Sequence, residues 1–237
     1  MSDGQIEYIP WDRDEVPHQL GRHIRHDARS RAFAAPRRAE PTRDKRHRVW
    51  GARLDQGNVG ACTGFTAAAV LNTEPGRRLI APAPTLKNSH ALDFYRYASR
   101  NDVWPGEWEP TDTGSSGIAA AQAMQAAGHI TAYDWAFGFA HGLEVIVERP
   151  MMQGTWWTED MFYPDADGRV RPTGADAGGH EYLWIGVELR STKTRADNRS
   201  WFVNSWGLGF GVKGMFWMTW DDHDALLQRD GDLVAVR

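Results

Sequence analysis

The chain has 237 residues, of which 41% are hydrophobic and 24% charged, with a formal net charge of -4, enough apolar material for one ample core or two modest lobes. It has no run of about 18 apolar residues to build a membrane-spanning helix, and its charge balance gives no global reason to expect nucleic acid as a partner. Met1-Ser2-Asp3-Gly4-Gln5-Ile6-Glu7 lacks the basic start and apolar core of a secretory signal, and the single cysteine cannot form an internal disulfide; the expected setting is the cytoplasm, or release by lysis.

Residues 1–48 read as an extended N-terminal arm. From His18 to Arg48 the arm is rich in arginine and poor in acids, a pattern expected of a solvated strap on the domain surface, with docking on an acidic partner, such as a protein assembly, or on nucleic acid as the alternative. His18, His23 and His26 cluster there, but a metal site needs three or four converging ligands, and no metal or other cofactor is expected. Residues 49–237 read as one folded domain, helical over about 55–135 and β-structured over about 140–237.

In the helical half, a Gly-rich turn, Asp55-Gln56-Gly57-Asn58-Val59-Gly60-Ala61, runs into an Ala-rich stretch that predicts a helix over 62–72, with Gly64 as a weak spot. Cys62, the lone cysteine, opens that helix. Free amide N–H groups and the positive end of the helix dipole favour its thiolate, the nucleophilic form. A second helix is expected over 89–100. A third is expected over 116–127, with Ser115 or Ser116 as N-cap and Gly128 as its stop.

In the second half, residues 143–147, 182–189, 200–204 and 214–220 read as strands. Asp165-Ala166-Asp167-Gly168 lacks the later ligands of a calcium loop and reads as a hairpin turn. Asp221-Asp222-His223-Asp224 reads as a solvated turn. Twelve tryptophans suggest a thick aromatic core or an aromatic-lined cleft.

A nucleophile needs a base, a group to orient the base, and donors for the oxyanion. His180, behind Gly178-Gly179 at the mouth of a strand, is the candidate base. Asn204, at a strand end, is the candidate orienter, with Trp206 placed to screen its bond to the imidazole. Gln56, with the backbone N–H of Cys62, is the candidate oxyanion donor. Each residue alone also has an inert reading, as a buried thiol, a satisfied histidine or a turn asparagine.

Taken together, Gln56-Gly57 leading to Gly60-Ala61-Cys62, then Gly178-Gly179-His180, then Asn204-Ser205-Trp206-Gly207 resemble the papain-like cysteine peptidases, in the style of bacterial and phage members. The resemblance extends to Asp112-Thr113-Gly114-Ser115 and to 211–218. It implies an α+β, papain-like two-lobed fold: a helical left lobe and an antiparallel β-barrel-like right lobe, with the active-site cleft between them. It further implies Cys62 as nucleophile, His180 as general acid and base, Asn204 as orienter and Gln56 as oxyanion donor. Substrate binding falls to Gly114, Ser115, Gly179 and Trp206, and the substrate is a peptide or protein cut through a thioester acyl-enzyme.

Thr63 and Phe210 stand where the family commonly has Trp, and the family's disulfides are absent. Glu181 follows the histidine where a small residue is usual; alternation puts it beside Leu183 and Ile185, so either the strand begins later or Glu181 meets an arginine. The segment before Gln56 is shorter than the family's usual inhibitory leader, which implies an enzyme without activation cleavage or one restrained by a partner. The alternatives are the same machinery acting as an amidase, endopeptidase or acyl transferase on another acyl bond, such as one in peptidoglycan, and a silent papain-like binding or structural module.

Overall fold

The computed structural model describes residues 17–237; the beginning of the expected arm lies outside the described residues. A short strand β1 (Lys45–Arg46) precedes four helices: α1 (Cys62–Leu71), α2 (Arg77–Ile80), α3 (Asn88–Asn101) and α4 (Gly117–Ala126). The second half runs β2 (Tyr133–Ala136), α5 (Gly138–Ile146), β3 (Met151–Thr158), β4 (Asp176–Glu188), β5 (Arg199–Val203), β6 (Met215–Thr219), α6 (Trp220–Gln228) and β7 (Asp232–Val236).

All ten residues of α1 are buried. A helix apolar on every side has no solvent face to offer, so it sits inside the lobe with its neighbours packed around it. Gly64 is what permits this packing. A Cβ there would lie 2.7 Å from the backbone nitrogen of Tyr95 on α3, so the expected weak spot is where two helices cross closely. Helix α4 starts where the Ser116 side chain accepts from the N–H of Ala119, and Gly128, at a φ of 73°, ends it in the left-handed conformation that glycine adopts without strain.

The strands form one antiparallel sheet in the order β2-β7-β3-β4-β5-β6, with β1 paired beside β4. Thirteen-residue β4 is its spine, pairing Thr155 of β3 with His180 and Phe202 of β5 with Trp184. The chain is thus α+β, with a helical lobe facing an antiparallel sheet.

Two sequence expectations are corrected. Residues 143–146 are the last turn of α5, where the β-branched run is overridden by burial of Phe139, Gly142, Leu143 and Ile146 at helical spacing. Residues 221–224 are the first turn of α6: the Thr219 hydroxyl accepts from the N–H of Asp222, Asp221 and Asp222 lie at the positive end of the helix, and His223 turns fully inward. The arm is more than a strap. Arg37 and Arg38 do ion-pair on the surface with Glu144 of α5 and with Glu148 just beyond it, but Leu20 and Arg22 are buried, because residues 18–23 enter the cleft between the lobes.

Candidate active site

Cys62 occupies the first position of α1, and no side chain caps this helix start. The backbone N–H groups of Glu181, Gly21 and Thr63 lie near its sulfur and favour the thiolate. Glu181 immediately follows His180 on β4, so the thiol lies against the strand that carries the histidine. Burial pushes the thiol up to about 12, outweighing those donors. The helix start favours the thiolate, as the sequence suggests, but loss of water dominates while the cleft is covered.

The ring of His180 is held from three directions. Its Nε2 lies 2.8 Å from Asn204 Oδ1, and the same Oδ1 accepts the N–H of Ser205 at 2.8 Å. An oxygen that faces one amide N–H must be the acceptor, so Nε2 carries the proton and Nδ1 of the neutral ring keeps its lone pair. That Nδ1 is buried with no hydrogen-bond partner. Trp206 stacks on the imidazole at 4.6 Å, and Trp157 meets it edge-on at 4.9 Å, keeping water from the bond to Asn204. Burial pushes the imidazole down to about 3, with the Asn204 bond opposing the shift.

Gln56 is tied to the asparagine loop twice: its N–H donates to Ser205 O at 2.8 Å, and its Oε1 accepts from Ser205 Oγ. Its Nε2 donates to Val59 O at 2.7 Å and to Gln19 O at 3.0 Å. The nucleophile loop is braced as well. The N–H of Gly60 donates to Asp112 Oδ2 at 2.8 Å, and the hydroxyl of Tyr95 donates to the other oxygen.

The arm crosses this assembly as an added strand. The N–H groups of Gly21 and Arg22 donate to Gly179 O at 3.2 and 2.9 Å; Ser115 N–H donates to Gly21 O at 2.8 Å, and His23 N–H to Ser115 O at 2.7 Å. His18 stacks on Trp206 at 4.3 Å. Backbone approach is so close that a Cβ on Gly60 would lie 2.8 Å from Leu20 O and one on Gly114 2.5 Å from Gly21 O. Of the expected substrate-binding residues, Ser115 and Gly179 thus hold the arm by backbone, Trp206 by its ring face and Gly114 by having no side chain. The segment before Gln56, though shorter than the family's usual inhibitory leader, lays residues 18–23 in the cleft.

The arm histidines are spent on aromatic contacts, His18 on Trp206 and His23 on Trp104, and no group of three or more metal-ligating side chains is found among the described residues. Sequence reading missed Gln19, Gly21, Arg22 and Asp232. Only Gly21 carried a signal, as a glycine between bulkier residues.

No family model matches the chain, and no curated protein matches it. Solved structures do. Xylellain, a cysteine protease from Xylella fastidiosa, superposes with a TM-score of 0.72 at 17% identity over 92% of this chain and 95% of its own. The bromelain protease from Ananas comosus, in complex with the E64 inhibitor, gives 0.57 at 14% identity over 78% and 93%. Digestive procathepsin L 3 of Tenebrio molitor larval midgut gives 0.59 at 10% identity over 92% and 75%. The fold is therefore that of the papain-like cysteine proteases.

Proposed function

We propose that the chain is a cysteine peptidase that hydrolyses peptide bonds and is made in a latent form, its own arm lying in the cleft. The observation that carries this reading is the pairing of His180 Nε2 with Asn204 Oδ1, which leaves Nδ1 unpartnered on the strand whose next residue, Glu181, lies by its backbone against a thiol at a helix start. In the open enzyme His180 takes the proton of Cys62 and the thiolate attacks the substrate carbonyl. Gln56 Nε2 and the Cys62 N–H hold the oxyanion, His180 returns the proton to the departing amine, and water releases the thioester. The setting we propose is the cytoplasm, or release on lysis of a phage host.

Latency follows from direction as well as cover. The departing amine needs a proton from His180, whose flank is Trp206, so the leaving part of a substrate lies on the side of His18 and the acyl part on the side of Ser115 and Gly179. The arm runs from His18 to Arg22, from the leaving side to the acyl side. A substrate runs the other way, so no arm peptide bond is aligned for attack.

The test compares Gly21→Val, which displaces the arm, with the same chain also carrying Cys62→Ala. Both meet a mixed fluorogenic peptide library and a thiol-reactive peptide mimic over about pH 5 to 8, where an imidazole changes charge. Hydrolysis is expected from the first and none from the second. Equal signal from both would overturn the reading, and Cys62 labelled with no peptide cleaved would move it to another acyl bond.

A further inference from the structure

Beside the thiol the cleft opens into a pocket lined by Gly117, Gly154, Glu181 and Asp232, and the side chain of Arg22 fills it. Arg22 is 2% exposed. Its Nη2 donates to Asp232 Oδ2 at 2.6 Å and to Asp230 O at 2.7 Å. Glu181 is fully buried, and neither of its carboxyl oxygens has a hydrogen-bond partner; the same holds for Nε and Nη1 of Arg22. The two groups are nevertheless neighbours. A Cβ on Gly154 would collide with Arg22 Nε and lie 2.7 Å from Glu181 Oε2, and one on Gly117 would lie 2.7 Å from Glu181 Oε1. Two glycines therefore leave room for a guanidinium and an acid side by side where any larger residue would fill the space.

Two buried acids without a cation are costly to keep. The arm meets that cost in the latent form, and when the arm leaves something else must. Gly21, whose N–H lies near the Cys62 sulfur, is one residue away from Arg22, so the pocket lies one residue from the reacting centre on the acyl side.

We propose that this pocket selects substrates carrying a cationic side chain, arginine before lysine, on the residue preceding the one whose carbonyl is attacked, with Glu181 and Asp232 as the specificity-determining residues and Arg22 as the built-in occupant. The proposal rests on the peptidase reading for its meaning, though the pocket's chemistry stands without it. Arginine is preferred because its guanidinium reaches Asp232 and the Asp230 carbonyl together, as Arg22 does, with its charge beside Glu181, whereas an ammonium is a point charge on a shorter reach. The arm reproduces the side chain of a substrate while reversing its backbone.

The experiment has a binding arm and a hydrolysis arm. In the full chain carrying Arg22→Ala, or Arg22→Met where alanine does not fold, arginine amide raises the melting temperature and citrulline amide, its neutral isostere, does not. Adding Glu181→Gln and Asp232→Asn removes the effect. In the unaltered chain, arginine amide competes with the arm and speeds alkylation of Cys62 by iodoacetamide. Equal responses to arginine amide and citrulline amide in these assays overturn the proposal. In the hydrolysis arm, coumarylamide peptides that differ only at the residue before the scissile one are cut by the arm-displaced chain carrying Gly21→Val with the Arg22 substitution, with arginine favoured over leucine by roughly ten- to a hundredfold, the share of a charge-assisted hydrogen bond. Cleavage with leucine equal or preferred overturns the proposal and leaves the peptidase reading intact. Selective binding of arginine amide with no peptide cleaved does the reverse.

Discussion

Gly21→Val is the most direct way to ask whether the arm is what silences the thiol. A Cβ at position 21 would collide with the backbone carbonyl of Gly60, and backbone on the nucleophile loop cannot turn aside as a side chain can. The substitution therefore removes the docked register as a whole. Four backbone hydrogen bonds hold that register, two to Gly179 O and two with Ser115. At about 1 kcal/mol net each they amount to about 4 kcal/mol, roughly a thousandfold in the equilibrium between covered and open cleft. Cys62 is fully buried in the docked form, so alkylation by iodoacetamide proceeds through the open fraction. The valine variant should be labelled two to three orders of magnitude faster, on that same roughly thousandfold scale. Its labelling should also reach its plateau at lower pH, because the largest cause holding the thiol at about 12 is desolvation. Protease cleavage within residues 24–48 should rise in parallel. A folded variant by circular dichroism with an unchanged labelling rate would refute the argument, because the arm would then not be the cover.

Asn204→Ala, made in the arm-displaced chain, frees the imidazole to take the wrong tautomer; kcat/KM should fall by roughly 10²–10⁴-fold, the share of a positioned acid and base, with peptide binding little changed in a competition assay. Gln56→Ala in the same background should lower kcat by about 10²–10³-fold at similar KM, as loss of one oxyanion donor does, and an unchanged kcat would remove Gln56 from that role. Acid should destabilise the latent chain. His180 is held down at about 3, His47 at about 4 and His223 well below the ordinary value, each chiefly by burial. The unfolded chain then binds more protons below about pH 6.5, and stability falls as pH drops from there toward 3, at about 1.4 kcal/mol per unit of displacement for a buried group. Melting temperatures flat from about pH 7 to pH 5, a range in which the buried histidines stay neutral in the folded chain and titrate in the unfolded one, would contradict this.

The residues around the thiol were legible because each carries a local signal. Cys62 follows a glycine turn into alanine, His180 follows two glycines, and Asn204 ends a strand. The strands under them were harder. β3 (Met151–Thr158) is almost entirely buried and shows no alternation, and β7 (Asp232–Val236) is short and buried throughout; an inner strand covered on both faces loses the period of two that marks an outer one. Helix α5 was obscured by Val145 and Ile146, whose strand preference is weaker than the packing of their helical face. The acids of α6 looked solvated because a first-turn acid and a turn acid have the same composition; only Thr219 before them separates the two. Glu181 was recognised as needing either a later strand start or an arginine. The strand begins at Asp176, well before it, and the arginine is Arg22. Which of so many arm arginines would be buried depended on contacts 159 and 210 positions away in the chain, beyond the reach of any local pattern.

The distance between Arg22 and Asp232 also sets an order of events during synthesis. At about 5–20 residues per second, the 210 positions between them take roughly 10–40 s to make, and through that time the arm has no carboxylate at Asp232 to seat against. β7, which carries Asp232, lies between β2 and β3 in the sheet that carries His180. The strand that closes the gap between β2 and β3 is the one that brings Asp232, so the sheet is completed and the seat for the Arg22 side chain is made in the same step.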